Sequence, residues 1–81
     1  MNKPDMVNHP PHYTAGGIEC IDAIESALGP DGFRAFLQGQ VIKYTWRMQH
    51  KGAALQDVQK MLWYGERLKQ SFQQQRAEAK P

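Results

Sequence analysis

The side chains best suited to ligand chemistry are crowded into a short proline-rich stretch near the start of the chain. Residues 8–14 read Asn-His-Pro-Pro-His-Tyr-Thr, and a glycine pair follows at residues 16–17. Proline fixes φ and removes a backbone donor, so this stretch is stiff. Its amide, imidazole and phenol groups suit a phosphate or the edge of a nucleobase. The candidate ligand-binding residues here are Asn8, His9, His12 and Tyr13.

Two plainer interpretations of this loop stay open. His9 and His12 would in the first case only hydrogen-bond the backbone and pin the loop to the helices. The glycine pair would in the second case be a simple hinge, since no phosphate-loop motif accompanies it and Glu19 repels an anion. We expect no metal site, because the intervening prolines prevent the one-turn helical spacing of zinc-binding histidines.

A second candidate group lies in the middle of the chain, where cations alternate with aromatic rings. Lys43 and Arg47 are four residues apart and share a helix face, with Tyr44 and Trp46 beside them. Cations of this kind bind phosphate while a ring stacks on a base, so the pattern predicts contact with a nucleotide. The alternative is a solvated basic face whose two rings belong to the core.

Acidic residues near the start of the first predicted helix form a third group. Glu19 and Asp22 lie one turn apart and are suited to orient a sugar hydroxyl, to hold Mg²⁺ through water or to act as a base. We favour a structural role instead, in which they pair with the cations of the central group. Arg67 lies four residues after Trp63, so its guanidinium is placed to stack on that indole or to close a pocket.

Three helices are predicted to position these groups, at residues 18–28, 33–50 and 54–73. Gly29-Pro30 is expected to end the first helix and Lys51-Gly52 the second. Apolar residues at helical spacing predict the buried stripes. The stripe of the second helix is Phe33, Phe36, Leu37, Val41, Tyr44 and Met48, and that of the third is Leu55, Val58, Leu62, Gly65, Leu68 and Phe72. Gly39, inside the second helix, is expected to allow close approach of a backbone or ligand.

These elements give an all-α, compact three-helix domain preceded by a rigid Pro/His-rich loop. We expect a flexible lead-in at residues 1–7, a single helical nucleotide-binding domain at 8–73 and a polar tail at 74–81. A chain of 81 residues buries little surface, and one cysteine allows no internal disulfide, so a homo-oligomer is expected. The net charge of +2 does not suggest specific DNA binding, and no apolar run suggests a membrane.

The spacing of several blocks resembles a small phage and prophage domain family of unknown function that is commonly labelled nucleotide kinase. The resemblance spans about residues 7–68, and Gln40 departs from the asparagine usual after the mid-helix glycine. The blocks are Asn8-His9-Pro10-x-His12-Tyr13, Gly17-Ile18-Glu19-x-Ile21-Asp22, Gly39-x-x-Ile42-Lys43-Tyr44-x-Trp46-Arg47, Lys51-Gly52, Leu55-x-Asp57 and Trp63-Tyr64-x-x-Arg67.

The resemblance implies a nucleotide ligand and a protein that works in the cytoplasm of a bacterial host. One hypothesis is a phage protein that sequesters a phosphorylated nucleotide, such as an immune signal, without any cofactor. The alternative is a nucleoside-monophosphate kinase acting on deoxynucleotides, which would need Mg²⁺ and ATP. Because the chain has no phosphate-loop motif, we favour binding over catalysis. A non-catalytic structural or protein-interaction module is the third possibility.

Overall fold

The computed structural model of the protein describes residues 17–50 and 52–79, which form two long α-helices. Helix α1 is Cys20–Arg47, followed by a turn at residues 48–50, and helix α2 is Ala54–Ala79. The prediction of three helices is therefore wrong for the described chain. The first two predicted helices belong to one helix, and residues 30–32, which lie between the two predicted helices, are helical.

A sharp kink divides α1 at Gly29. This glycine has φ 74° and ψ 174°, a conformation that is nearly closed to residues with a side chain. Pro30 follows and lacks the N–H that a continuous helix would need, yet its fixed φ suits the first position of a new helical stretch. Helical residues thus resume at once after the break, which is why no separate turn is formed.

The parts of α1 before and after the kink both lie against α2. After the kink, Arg34 contacts Ser71, and α1 then runs antiparallel to α2 as far as the contact between Arg47 and Asp57. Before the kink, Asp22 contacts Arg67 rather than a residue beyond Ser71. The chain therefore reverses its course at Gly29, and both parts of α1 pack on the same partner helix.

The ends of the helices also differ from the predicted bounds. Helix α1 ends at Arg47 rather than His50, and the Met48 N–H donates to the Tyr44 carbonyl at 3.2 Å. Helix α2 continues six residues beyond its predicted end at Gln73, into the segment expected to be a polar tail. Its glutamine, arginine, glutamate and alanine residues are good helix formers, and Gln74 donates to Glu78 at 3.2 Å one turn later.

The core between the helices is small and strongly aromatic. The buried apolar residues are Phe33, Leu37 and Tyr44, all from the predicted stripe of α1. The predicted apolar stripe of α2 is wrong at Leu55, Leu62 and Phe72, which are all at least half exposed. Its other members, Val58, Gly65 and Leu68, are half-buried. A two-helix hairpin covers one face of each helix, and α2 turns its more polar face, with Asp57 and Tyr64, towards α1.

Neither described helix has an apolar stretch that could cross a membrane.

Candidate functional site

The second half of α1 and the first half of α2 meet around Tyr44. Its ring stacks on Tyr64 of α2 with centroids 5.7 Å apart and planes 6° from parallel. Tyr44 keeps only 7% of its surface exposed. The helical spacing of α1 brings the neighbouring cations Lys43 and Arg47 towards the rim of this ring pair, since residues three and four apart share a face.

Three cations surround the Tyr44 ring. The Lys43 Nζ lies 4.8 Å from the ring centroid, the Lys60 Nζ 5.3 Å and the Arg47 Cζ 5.7 Å. Each is within the range in which the negative face of an aromatic ring attracts a cation. We call Lys43, Tyr44, Arg47 and Lys60, together with the nearby Asp57, the Tyr44 cluster.

Asp57 is the carboxylate of this cluster, and it is almost completely buried. Its side chain is 1% exposed, and Oδ1 lies 3.7 Å from the Arg47 Nε, whose side chain is 40% exposed. Among the described residues neither carboxylate oxygen has a hydrogen-bond partner, and nor does the Arg47 Nε. Asp57 sits in the first turn of α2, where the positive end of the helix dipole favours a negative charge. Of the three cations at the Tyr44 ring, Arg47 is the one that pairs with Asp57 among the described residues.

The remaining ion pairs of the described chain lie away from this cluster. Arg34 bonds Asp31 at 2.6 Å, and Lys69 pairs with Glu66 at 3.5 Å. Arg67 bonds both Asp22 and Glu25, at 2.9 and 3.1 Å. None of these pairs involves a cation of the Tyr44 cluster, so the positive charge there is offset by Asp57 alone among the pairs seen in residues 17–50 and 52–79.

Arg67 ties the first part of α1 to α2. Partial burial of its guanidinium lowers the pKa of Arg67, but hydrogen bonds to Asp22 and Glu25 and the charges of both carboxylates outweigh this, so the pKa is raised. The guanidinium also lies 5.6 Å from the Phe33 ring centroid. Asp22 was expected to pair with the central cations Lys43 and Arg47, and this is wrong, because its partner is Arg67. The part of α1 before the kink lies against the second half of α2, whereas Arg47 lies near Asp57 at the start of α2.

Trp46 points away from the Tyr44 ring, although Lys43 lies one helical turn before it. Its side chain is 73% exposed, and its ring centroid lies 6.2 Å from that of His50. Residues two apart on a helix point about 200° from each other, so Tyr44 and Trp46 face different ways. Of the four central candidates, the structure therefore brings Lys43 and Arg47 to the Tyr44 ring and leaves the Trp46 ring on another side of α1.

The four candidates of the proline-rich loop lie outside the described residues, so the contacts proposed for Asn8, His9, His12 and Tyr13 remain predictions. Glu19 is the residue before α1, and its carbonyl accepts from the backbone N–H groups of the residues three and four positions later. A side chain at Gly39 would meet nothing within 4 Å, so the close approach expected there is not seen in the described chain.

Two residues of the cluster were not predicted from the sequence as site residues. They are Asp57, a buried charge, and Lys60. A usable signal was present, because Asp57, Lys60 and Tyr64 follow one another at three and four residues and so share a face of α2. That face was overlooked in favour of the more apolar stripe beside it. Within residues 17–50 and 52–79 no group of three or more His, Cys, Asp or Glu is placed to hold a metal ion.

Comparison with known proteins places the chain in a family. No curated protein and no solved structure matches the chain. A family model described as a protein of unknown function, DUF3310, matches residues 7–66, which is more than half of the 81 residues. The matched region contains the whole Tyr44 cluster. On this match, the chain belongs to the DUF3310 family of proteins of unknown function.

Proposed function

We propose that the protein binds a phosphorylated nucleotide at the Tyr44 cluster and holds it without changing it. The observation that carries this proposal is the convergence of Lys43, Arg47 and Lys60 on one ring, where Arg47 also pairs with the buried Asp57. Phosphate is the ligand group that such a cluster suits, because it accepts several charge-assisted hydrogen bonds at once.

The geometry favours phosphate rather than base recognition by these residues. Tyr44 is 7% exposed and stacks on Tyr64, so it has little surface left for a nucleobase. Trp46 is exposed but points away from Tyr44, so its ring does not extend the stack of Tyr44 on Tyr64. The Tyr44 cluster of one chain therefore binds the phosphate end of the nucleotide, and residues outside the cluster contact the base.

The setting of this activity is also a proposal. The resemblance to the phage family labelled nucleotide kinase supports a phage-encoded protein acting in the cytoplasm of its host. Capture of an immune signalling nucleotide, as a counter-defence, fits a small protein that binds and releases its ligand unchanged. A kinase would need a second nucleotide and charge neutralisation of the transferred group, which the Tyr44 cluster alone does not supply.

The experiment that tests the proposal is recovery of nucleotides after binding. The purified protein is incubated with mono-, di- and cyclic nucleotides together with ATP and Mg²⁺, and bound and free fractions are separated, denatured and identified. We expect a retained nucleotide that is released unchanged. New diphosphates that scale with protein concentration would instead establish a kinase, and no retained nucleotide would refute binding altogether.

Two lysines of α2 provide a matched pair of variants. Lys60→Met and Lys69→Met remove the same charge from the same helix, but Lys69 pairs with Glu66 away from the cluster. We expect Lys60→Met to weaken nucleotide binding and Lys69→Met to leave it unchanged. Arg47→Ala should cost about 1.5–3 kcal/mol of binding free energy, the range for a hydrogen bond to a charged group. Equal effects of both lysine variants would show only general charge attraction.

A further inference from the structure

The outer face of α1, which points away from α2, carries a regular exposed stripe. Its members follow one another at intervals of four, three and four residues, and all four are exposed. Because a helix turns about 100° per residue, they lie opposite Leu37 and Tyr44, which face α2. We call this set the outer stripe: Ala35, Gly39, Ile42 and Trp46.

The outer stripe has the chemistry of an interface rather than of a solvated surface. Ile42 is 59% exposed and Trp46 73%. A cavity of about 340 Å³ lies beside them, lined by Val41, Ile42, Thr45, Trp46, Gln49 and His50, none of which carries a fixed charge. An exposed tryptophan within an uncharged apolar patch is typical of the centre of a protein–protein contact.

The order of small and large residues along the stripe makes it complementary to itself. The two small residues come first and the two large ones second. When two such stripes meet antiparallel about a two-fold axis between Gly39 and Ile42, Gly39 faces Ile42 of the second copy and Ala35 faces Trp46 of the second copy. Each large side chain then enters the space that a small residue leaves, which is the condition for close helix packing.

We propose that the outer stripe is the contact between two copies of this chain, paired antiparallel through α1. Identical uncharged faces meet without like-charge repulsion, whereas Lys43 borders the stripe and stays at the rim. A second copy also buries additional apolar surface. The core of the described part is small, since Phe33, Leu37 and Tyr44 are its only buried apolar residues. Domains with so small a core usually gain stability by association.

The test places a large side chain at Gly39, where the second copy would otherwise insert Ile42. Gly39→Leu adds a side chain at an exposed helical position where nothing lies within 4 Å, so the single chain folds as before. In the paired form the new leucine meets Ile42 of the second copy. We expect sedimentation to show a multiple of the single-chain mass for the wild type and a dissociation constant raised at least about tenfold in the variant.

A compensating change and a control show whether the loss of association arises at this contact. Gly39→Leu combined with Ile42→Ala restores the alternation of small and large residues and should restore association. Gln70→Leu adds a leucine at an exposed position of α2 and should leave the mass unchanged. Circular dichroism checks that every variant keeps its helix content. A single-chain mass for the wild type at micromolar concentration, or unchanged association of Gly39→Leu, would overturn the proposal.

Discussion

Replacement of Arg67 by methionine should destabilise the fold, because it frees the first part of α1 from α2. Arg67 is the residue that ties both carboxylates of the first part of α1 to α2, with bonds of 2.9 Å to Asp22 and 3.1 Å to Glu25. Methionine keeps the helix propensity and most of the side-chain length. The change therefore removes the charge and its hydrogen bonds while leaving the helix itself intact.

The magnitude follows from how exposed the partners are. Arg67 is 26% exposed, whereas Asp22 is 54% and Glu25 40% exposed, so solvent screens both pairs. Partly exposed pairs contribute roughly 0.2–1 kcal/mol each. The stack of the guanidinium over Phe33 adds about 0.5–1 kcal/mol. The free energy of unfolding should fall by about 2 kcal/mol, which for a chain of this size lowers Tm by roughly 10 °C.

The assay is thermal and chemical unfolding at one fixed protein concentration, because self-association would shift the apparent stability. Arg76→Met, at an exposed position later on α2, is the matched control and should change the free energy of unfolding by less than about 0.5 kcal/mol. A double-mutant cycle between Arg67→Met and Glu25→Gln should give a coupling free energy of about 0.5 kcal/mol. Equal effects of Arg67→Met and Arg76→Met, together with zero coupling, would refute the reasoning.

Three further predictions test the kink, the cluster and the pH response. Gly29→Ala should destabilise the fold by about 1–3 kcal/mol in chemical unfolding, because φ 74° with ψ 174° is strained for alanine; an unchanged midpoint would mean that the kink relaxes freely. Asp57→Asn should tighten binding of a nucleoside monophosphate, measured by calorimetry, by about 1 kcal/mol, since it removes the carboxylate 3.7 Å from the Arg47 Nε; weaker binding would show instead that Asp57 positions Arg47. The pKa of Arg67 is raised, so its stabilising contribution is complete below its unfolded-state pKa and is lost only as pH rises through the folded-state pKa. The stability difference between wild type and Arg67→Met should thus not decline in titrations from neutral to mildly alkaline pH.

The helical class and the main buried face of α1 could be predicted from the sequence. The spacing of Phe33, Leu37 and Tyr44 predicted the face that α1 turns to α2, and these three residues are buried. The pairing of Lys43 with Arg47 on one side of the helix also followed from their spacing. Local periodicity is enough for such features, because they depend only on the geometry of one helix.

The number of helices could not be read from the same local rules. Glycine followed by proline signals a break, and the sequence does not say whether a turn or only a kink follows. Here Pro30 restarts the helix at once, so the break at Gly29 changes the direction of α1 without ending it. The sequence alone also left open whether the polar segment after Gln73 extends the helix or frays. In the structure α2 continues through it to Ala79, since its residues are good helix formers.

The sequence by itself determined that the chain is helical, where its direction changes and which cations share a face of α1. Only the tertiary structure decided which face of α2 is buried. A hairpin covers one side of each helix, and either the apolar stripe with Leu62 or the more polar face with Asp57 could have been that side of α2. That choice placed Asp57 and Lys60 beside Arg47 and Lys43, and it left Trp46 on the outer side. Contacts between residues distant in the chain depend on how the helices pack, and no local pattern contains that information.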